Sequence, residues 1–409
     1  MNETNFKPDL KDALLYHSSV PHDTFARLRA ECPVYWNEEA DGAGFWAITK
    51  YEDISAISKN PQLFSSAHKH GGHRIFNENE VSVANSGESG IGTPLISMDP
   101  PNHTKYRVMA MKGLAPARID GIEERIVQRA ESLLDQIDTP LSVEMVSQFC
   151  APLPLLTLCE LMDVPSTMWT KLYDWTNCLV GEDDPDFRPT PEEFAATMGE
   201  FLNFCQNTFE KYRLAPDDSL ASVFANAEFD GNPISYSDFL GNMVLLLVGG
   251  NETTRNSLSN SLIAFAQNPE QWQKLRSNPD LMPVAVREMM RYSTPVMHMR
   301  RTATEDTEIR GQRIRKGDKV VMWYASGNRD EDIFDSPHTF NIERKGPNHL
   351  AFGTGTHMCL GSRLGELQIR VAMKLLTSRY SDIELLEAPE RIRSNFINGI
   401  KTLKLRLIA

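Results

Sequence analysis

The chain has 409 residues, 24% of them charged and 41% hydrophobic, which gives ample apolar material for a large core and excludes a wholly disordered polypeptide. Its formal net charge of -13 argues against a nucleic-acid binder, because phosphate recognition draws on clustered Lys and Arg. The strongest apolar run, Met243 to Val248, is far below the roughly 20 residues that cross a bilayer, and the polar start MNETNFKPDL lacks a targeting pattern, so a cytoplasmic protein without a membrane span is expected.

No internal repeat or low-complexity linker divides the chain, and a single domain over 1–409 is expected, mainly α with a smaller β part near 44–66 and 307–325. Taken in chain order, Gly44 to Ile48 reads as a short strand, and the apolar spacing from Tyr51 to Ser58 predicts a helix. A stretch rich in Gly, Ser, Asn and His from Ala67 to Pro94 has the length of a functional loop. Its His68, His70 and His73 have the composition of a metal tract, but no carboxylate or cysteine completes a ligand set, so a functional metal site is not expected there. A helix is expected after Pro100-Pro101, with His103 and Arg107 four apart on one face.

Helical material fills Ala115 to Leu214, broken near Asp183-Asp184-Pro185 and Arg188-Pro189, an arrangement that suits a roof over a pocket. The longest helix is expected from Ser237 to about Ala266, interrupted at Gly249-Gly250-Asn251-Glu252-Thr253-Thr254, where a Gly pair followed by Thr loosens the hydrogen-bond ladder. Glu288 and Arg291 stand at i, i+3 on a further helix and can pair. Turn signals at Gly311 and Gly317-Asp318 between β-branched runs predict hairpins over Thr307 to Ala325.

Five of the six cysteines, Cys32, Cys150, Cys159, Cys178 and Cys205, read as small buried hydrophobes. Cys359 differs. It stands where a loop with Gly353, Gly355 and Gly361 meets a helix beginning near Ser362, and the free N–H groups and positive end of a helix favour a thiolate. The glycines permit positive φ and a close approach of backbone to the sulfur or to a flat body. A plain buried cysteine, a zinc site using His357, and a Cys–His nucleophile are the other readings of this segment.

Phe352-Gly353-Thr354-Gly355-Thr356-His357-Met358-Cys359-Leu360-Gly361 resembles the haem-binding signature FGxGxHxCxG of the cytochrome P-450 superfamily at every specified position. The resemblance implies that haem b is the cofactor, lying between a long distal helix and the helix after the cysteine loop. Cys359 is then the thiolate ligand of iron, His103, Arg107, Arg301 and His357 hold propionates, and Phe352, Gly353 and Gly361 shape the loop. Arg300 is a rival for the role of Arg301. The segment Gly249 to Thr253 resembles the distal motif of the family, making Glu252 and Thr253 an acid–alcohol pair for proton delivery. Glu288, Arg291 and Arg344 resemble the family's structural ion network.

The resemblance runs from GFWAITKYEDI to SNFINGIKTL, and the wording is similar to bacterial members that hydroxylate steroid side chains, isoprenoids or alkyl chains. It implies an oxidoreductase that inserts one atom of O2 into a C–H bond of a hydrophobic substrate. Val248, Gly249, Val296, Met297, His298, Phe396 and Ile397 would line the pocket. With no flavin or nicotinamide segment, a ferredoxin or flavodoxin-type donor and its reductase would supply electrons, docking near Lys105, Lys112, Arg118, Arg363 and Arg370. A peroxide-using enzyme and a haem sensor are the alternatives within the same resemblance.

Overall fold

A computed structural model of the chain describes residues 6–76, 91–180, 183–187 and 189–409, apart from the side chains of 116–118, 120 and 180. Thirteen helices are described: α1 His22–Glu31, α2 Tyr51–Ser58, α3 Asn102–Gly113, α4 Pro116–Asp135, α5 Pro152–Leu161, α6 Trp169–Val180, α7 Pro191–Leu214, α8 Leu220–Ala225, α9 Tyr236–Gln267, α10 Pro269–Ser277, α11 Met282–Ser293, α12 Tyr324–Gly327 and α13 Ser362–Arg379. Proline at the first position opens α4, α5, α7 and α10, where the missing N–H has no intrahelical partner to lose. A capping box closes the start of α7: the Glu193 N–H donates to Thr190 Oγ1 at 3.2 Å and the Thr190 N–H to Glu193 Oε2 at 2.9 Å.

The strands are short and pair across long sequence distances. β1 (Val34–Asn37), β2 (Phe45–Ile48), β3 (Phe64–Ser65), β7 (His298–Ala303) and β10 (Lys319–Trp323) form one sheet in the order β1-β2-β10-β7-β3, parallel only between β2 and β10. β4 (Val143–Glu144), β11 (Asp382–Leu385) and β14 (Lys404–Ile408) make a second sheet. Three pairs complete the set: β5 (Glu228–Phe229) with β6 (Asn232–Pro233), β8 (Thr307–Ile309) with β9 (Gln312–Ile314), and β12 (Glu390–Arg391) with β13 (Ile400–Thr402). The two β regions read from the sequence thus meet in one sheet through β2, β3 and β10, while β8 and β9 form a hairpin of their own; β1, β7 and the strands after residue 380 were not read from the sequence.

The largest core cluster unites α4, α5, α7, α9, α11 and α13 around Leu153, Phe149, Leu258, Phe265, Trp272 and Met373. Two smaller clusters, including Val321 with Trp323 and Val320 with Met322, pack the two faces of the five-stranded sheet, as the alternation along β10 requires. α9 crosses the middle of the large cluster, against α5, α6, α11 and α13. It is continuous from 236 to 267, so the interruption expected at 249–254 does not occur. The side chains explain why. Thr253 Oγ1 bonds to Gly249 O at 2.8 Å, Ser257 Oγ to Thr253 O at 2.7 Å, Ser259 Oγ to Arg255 O at 2.9 Å and Asn260 Nδ2 to Asn256 O at 2.8 Å, so buried polar groups are satisfied on the helix itself.

Candidate active site

Cys359 sits between a tight loop and the start of α13. Its N–H donates to Phe352 O at 2.8 Å and the Gly353 N–H to Leu350 O at 2.8 Å, folding the loop back on itself. Gly353 and Gly355 have φ of 65° and 67°, and a Cβ on Gly355 would run into the Ser58 carbonyl, so both glycines are required by backbone geometry. Gly361 differs from expectation: its φ of -91° is ordinary, and a Cβ there would meet nothing within 4 Å, so its small size faces open space. Burial holds the Cys359 thiol above its ordinary pKa, while the Gly361 N–H and Arg107 act in the opposite direction. The helix start alone therefore does not ionise this cysteine; a metal cation at the sulfur would.

α9 packs against α13. Gly249 is exposed although it lies inside the longest helix, and a Cβ on it would touch nothing within 4 Å. Thr253 is half-buried, its hydroxyl turned to Gly249 O. Glu252 points elsewhere: it is 1% exposed and pairs with Arg255, with Asn256 Nδ2 at 3.3 Å and Asn251 Nδ2 at 3.4 Å. Arg255 in turn donates to Asn177 Oδ1 at 3.2 Å on α6 and lies 5.6 Å from the Tyr173 ring. Adjacent residues of a helix diverge by about 100°, so the acid–alcohol pair read from the sequence is not formed here. Burial raises the Glu252 carboxyl above its usual range, opposed by Arg255 and Asn256. Arg255 escaped the sequence reading, although its i+3 spacing from Glu252 carried the signal.

One rim of the space is cationic. His103 and Arg107 on α3, Arg301 on β7 and His357 in the cysteine loop converge, with the His103 and His357 rings 4.1 Å apart. Burial and the surrounding cations push His357 down to about 2; burial and Arg107 push His103 to about 4, opposed by Asp99. His103 Nδ1 and His357 Nε2 are buried without a hydrogen-bond partner among the described residues. The period of two along β7 separates Arg301 from its rival: Arg300 donates to His70 O at 3.1 Å, while Arg301 acts on His103, His357 and Tyr324. Tyr324, which carried no motif to announce it, and His73, read in the sequence only as part of a histidine tract, also join this rim; His73 turns inward to Ser97 Oγ at 2.8 Å, with His68 half-buried and His70 exposed.

Glu288, Arg291 and Arg344 meet. Arg291 Nε and Nη2 grip the Glu288 carboxylate at 2.7 and 2.8 Å, and Arg344 Nε reaches it at 3.0 Å. The Asn341 N–H adds a fourth bond at 3.0 Å, and Arg291 Nη1 fixes the carbonyls of Asn328 and Pro337 at 2.7 and 2.9 Å. Of the residues expected to line a pocket, Val248 and Val296 are half-buried, Phe396 is 8% and Ile397 2% exposed, and Val296 bridges to Ile397. Met297 packs into the sheet cluster with Trp323 and Ala325. His298 is buried on the Trp323 ring at 4.7 Å and near the Phe396 ring at 5.3 Å.

A flat dianion suits these groups: Gly249 and Gly361 leave room beside their backbone, the Cys359 sulfur stands at the start of α13, and Arg107 and Arg301 accompany the unpartnered ring nitrogens of His103 and His357. Comparison with known proteins names the class. The Cytochrome P450 family model matches residues 155–406, and the chain belongs to that family. It is 53% identical over 402 residues to linalool 8-monooxygenase of Pseudomonas putida, covering 98% of this chain and 99% of that protein. It is 34% identical to a steroid C26-monooxygenase of Rhodococcus jostii over 96% of this chain and 83% of the relative. A Mycobacterium marinum cytochrome P-450 solved in complex with pseudoionone superposes with a TM-score of 0.88 at 31% identity, covering 99% of each chain.

The protein is therefore a haem b enzyme, a monooxygenase that uses O2 on hydrophobic substrates, built as a mainly α fold with a smaller β part. No helix among the described residues is long and apolar enough to cross a membrane.

Proposed function

We propose that the chain hydroxylates an acyclic isoprenoid, linalool or a near analogue, with Cys359 as the thiolate ligand of the haem iron. The observation that carries the reading is an exposed Cys359 at the start of α13, which packs against α9 with its exposed Gly249, and the His103, Arg107, Arg301 and His357 cluster beside the cysteine loop. The kinship to a linalool 8-monooxygenase and the fold shared with a protein that binds pseudoionone support an isoprenoid in preference to a steroid.

When bound, haem supplies the iron at which O2 is activated, one oxygen atom entering a C–H bond and the other leaving as water with two electrons and two protons. Arg107 and Arg301 would neutralise the propionates, and His103 and His357, uncharged near neutrality, would orient them by hydrogen bonds, with Arg301 buried at 3% exposure and so held in place. Phe352, Gly353 and Gly361 shape the loop that presents the sulfur. Thr253 holds a hydroxyl at the distal face and can exchange its bond to Gly249 O for one to an incoming oxygen. Glu252 is the proton reserve, and it must leave Arg255 to act. Val248, Val296, Phe396 and Ile397 exclude water and hold the apolar substrate. The Glu288, Arg291 and Arg344 network keeps the segment before the cysteine loop in register.

Electrons come from a separate ferredoxin-type carrier in the cytoplasm, a reducing compartment in keeping with six free cysteines. Val108 and Met111, 57% and 52% exposed on α3, lie beside the exposed Lys112 and form an apolar centre with a basic edge. Of the other basic residues, Lys105 is neutralised by Asp230 at 2.5 Å and Arg370 faces Glu123 at 3.3 Å, and the Arg118 side chain lies outside the described residues.

The test is spectroscopic. Carbon monoxide added to the reduced protein should move the Soret band to the long-wavelength position of a thiolate ligand, and Cys359→Ala should abolish that shift. Linalool should displace the resting haem absorbance; a response to sterols alone would overturn the substrate assignment.

A further inference from the structure

The turn between β12 and β13, which carries Phe396 and Ile397, is held by three sets of contacts. Within it, Ser394 Oγ accepts the N–H groups of Phe396 and Ile397, each at 3.1 Å. Along one edge the Met297 N–H donates to Phe396 O at 2.8 Å and the Asn398 N–H to Pro295 O at 2.9 Å. Asn395, 8% exposed, makes the third set: its Nδ2 donates to the Lys11 carbonyl at 2.6 Å, and its own carbonyl lies 3.1 Å from His298 Nδ1.

A carbonyl only accepts, so His298 carries its proton on Nδ1, and its Nε2 is left as an acceptor, buried without a partner among the described residues. Burial pushes the His298 pKa down to about 3, so the ring is uncharged near neutrality. It lies 5.3 Å from the Phe396 ring, and the Arg74 guanidinium lies 5.0 Å from that same ring. The Lys11 carbonyl is itself fixed. The preceding residue, the buried Leu10, donates its N–H to Asn37 Oδ1 at 2.7 Å and accepts from the Tyr16 hydroxyl at 3.0 Å, while Lys11 Nζ reaches Glu39 Oε1 at 2.8 Å. Asn395 thus refers the position of Phe396 to the end of β1, at the other end of the chain.

We propose that Asn395 is a positioning residue that sets where the substrate is oxidised: by tying the Lys11 carbonyl to the His298–Phe396 pair, it fixes the Phe396 ring at the pocket wall. The place of Phe396 in the pocket rests on the function proposed above; the bridge itself does not. One end of linalool carries two methyl groups on a double bond, so two allylic C–H positions and the alkene stand within a bond or two of one another. Each takes one oxygen atom from O2 while the other leaves as water with two electrons and two protons, giving either of two alcohols or an epoxide from the same inputs. A tenfold preference among them corresponds to about 1.4 kcal/mol between competing transition states. That is the size of one hydrogen bond, and a small displacement of one wall supplies it.

The experiment compares the holoenzyme with Asn395→Ala, with Asn395→Asp, which keeps the shape and loses the donor, and with His298→Phe, which keeps an aromatic ring beside Phe396 and loses the Nδ1–H. The ratio of the principal alcohol to the other linalool products, read by gas chromatography, does not depend on how much enzyme stays folded. It should shift by about tenfold in both Asn395 variants and in the same direction in His298→Phe. The KM for linalool should rise severalfold, with total product formation at saturation within about twofold of the parent. In ligand-free protein, hydrogen exchange over 394–398 should accelerate about tenfold in Asn395→Ala, with α9 and α13 unchanged. An unaltered product ratio beside faster exchange would overturn the positioning role, as would a parental ratio in Asn395→Asp; unaltered exchange would overturn the bridge. If the parent enzyme leaves linalool unoxidised, the substrate assignment fails by itself, the exchange result still decides the bridge, and the product ratio is read with pseudoionone instead.

Discussion

Arg255 decides the condition of Glu252. The carboxylate lies in a low-dielectric site, and burial alone favours its protonated form; the guanidinium three residues on pulls it back toward ionisation. Replacing Arg255 with Met removes the term that lowers this pKa, so the Glu252 carboxyl should protonate at higher pH than in the unaltered enzyme. A group whose folded pKa is raised stabilises the fold below its unfolded pKa, near 4, and that contribution is lost as pH rises through the folded value. Urea unfolding of Arg255→Met should therefore show stability falling more steeply than the parent as pH rises above the ordinary carboxylate range, with a loss of about 3–5 kcal/mol near neutrality. Parallel pH curves for the two proteins would refute the coupling, and the Glu252→Gln change in the same background should remove most of the pH dependence.

The Glu288 carboxylate is the second residue whose removal has a predictable size. It accepts four bonds, from Arg291, Arg344 and the Asn341 amide, and Arg291 is 2% exposed. Glu288→Ala leaves a buried guanidinium without its counter-ion, at a cost of about 3–5 kcal/mol. Denaturant titration should show this loss together with poorer haem retention, whereas Arg344→Ala, which leaves the bidentate pair intact, should cost less.

At the scale of elements, α9 is a helix whose interior is unusually polar and whose polar side chains turn back on their own carbonyls. Gly249 and Gly250 do not break it because nearly every residue from Asn251 to Phe265 is buried, and that packing outweighs about 1 kcal/mol of helix propensity lost at each glycine. The glycine opens space beside the helix without opening the helix itself. Thr253→Ala removes a hydroxyl but leaves this scaffold, so the fold should be retained while product per reductant consumed falls by about tenfold and peroxide release rises. Thr253→Ser should restore most of the coupling. Product per reductant consumed, measured with peroxide release, checks both. The start of α7 is set by the Thr190–Glu193 box, and Thr190→Ala should lower the unfolding free energy by about 1 kcal/mol with turnover little changed.

Over the whole molecule, a net charge of -13 coexists with a locally basic site edge. An acidic electron carrier would be repelled by the global charge and drawn only to a local patch, which makes association sensitive to orientation and salt. Reversing Lys112 to Glu should raise the carrier's apparent KM severalfold with kcat preserved; an unaltered value would exclude α3 from the docking face.

Much of this was legible before any fold was known. A cysteine at the end of a glycine loop, the Gly-Gly-Asn-Glu-Thr segment and the Glu288–Arg291 spacing are local patterns, set by covalent order and by the geometry of turns and helices. The tight loop of Gly353 and Gly355 follows from such order, because only glycine accepts φ near 65° beside another backbone. What sequence could not supply was direction. Whether Glu252 faces Thr253 or Arg255, whether Arg300 or Arg301 meets His357, and whether Met297 lines a pocket or a core depend on which side of a helix or strand is turned inward. Residues scattered over the chain, His73 with Ser97 and Asp184 with Lys401, have no sequence period linking them. Local chemistry fixes which groups are present; only long-range packing, which buries some faces and opens others, fixes what each group touches.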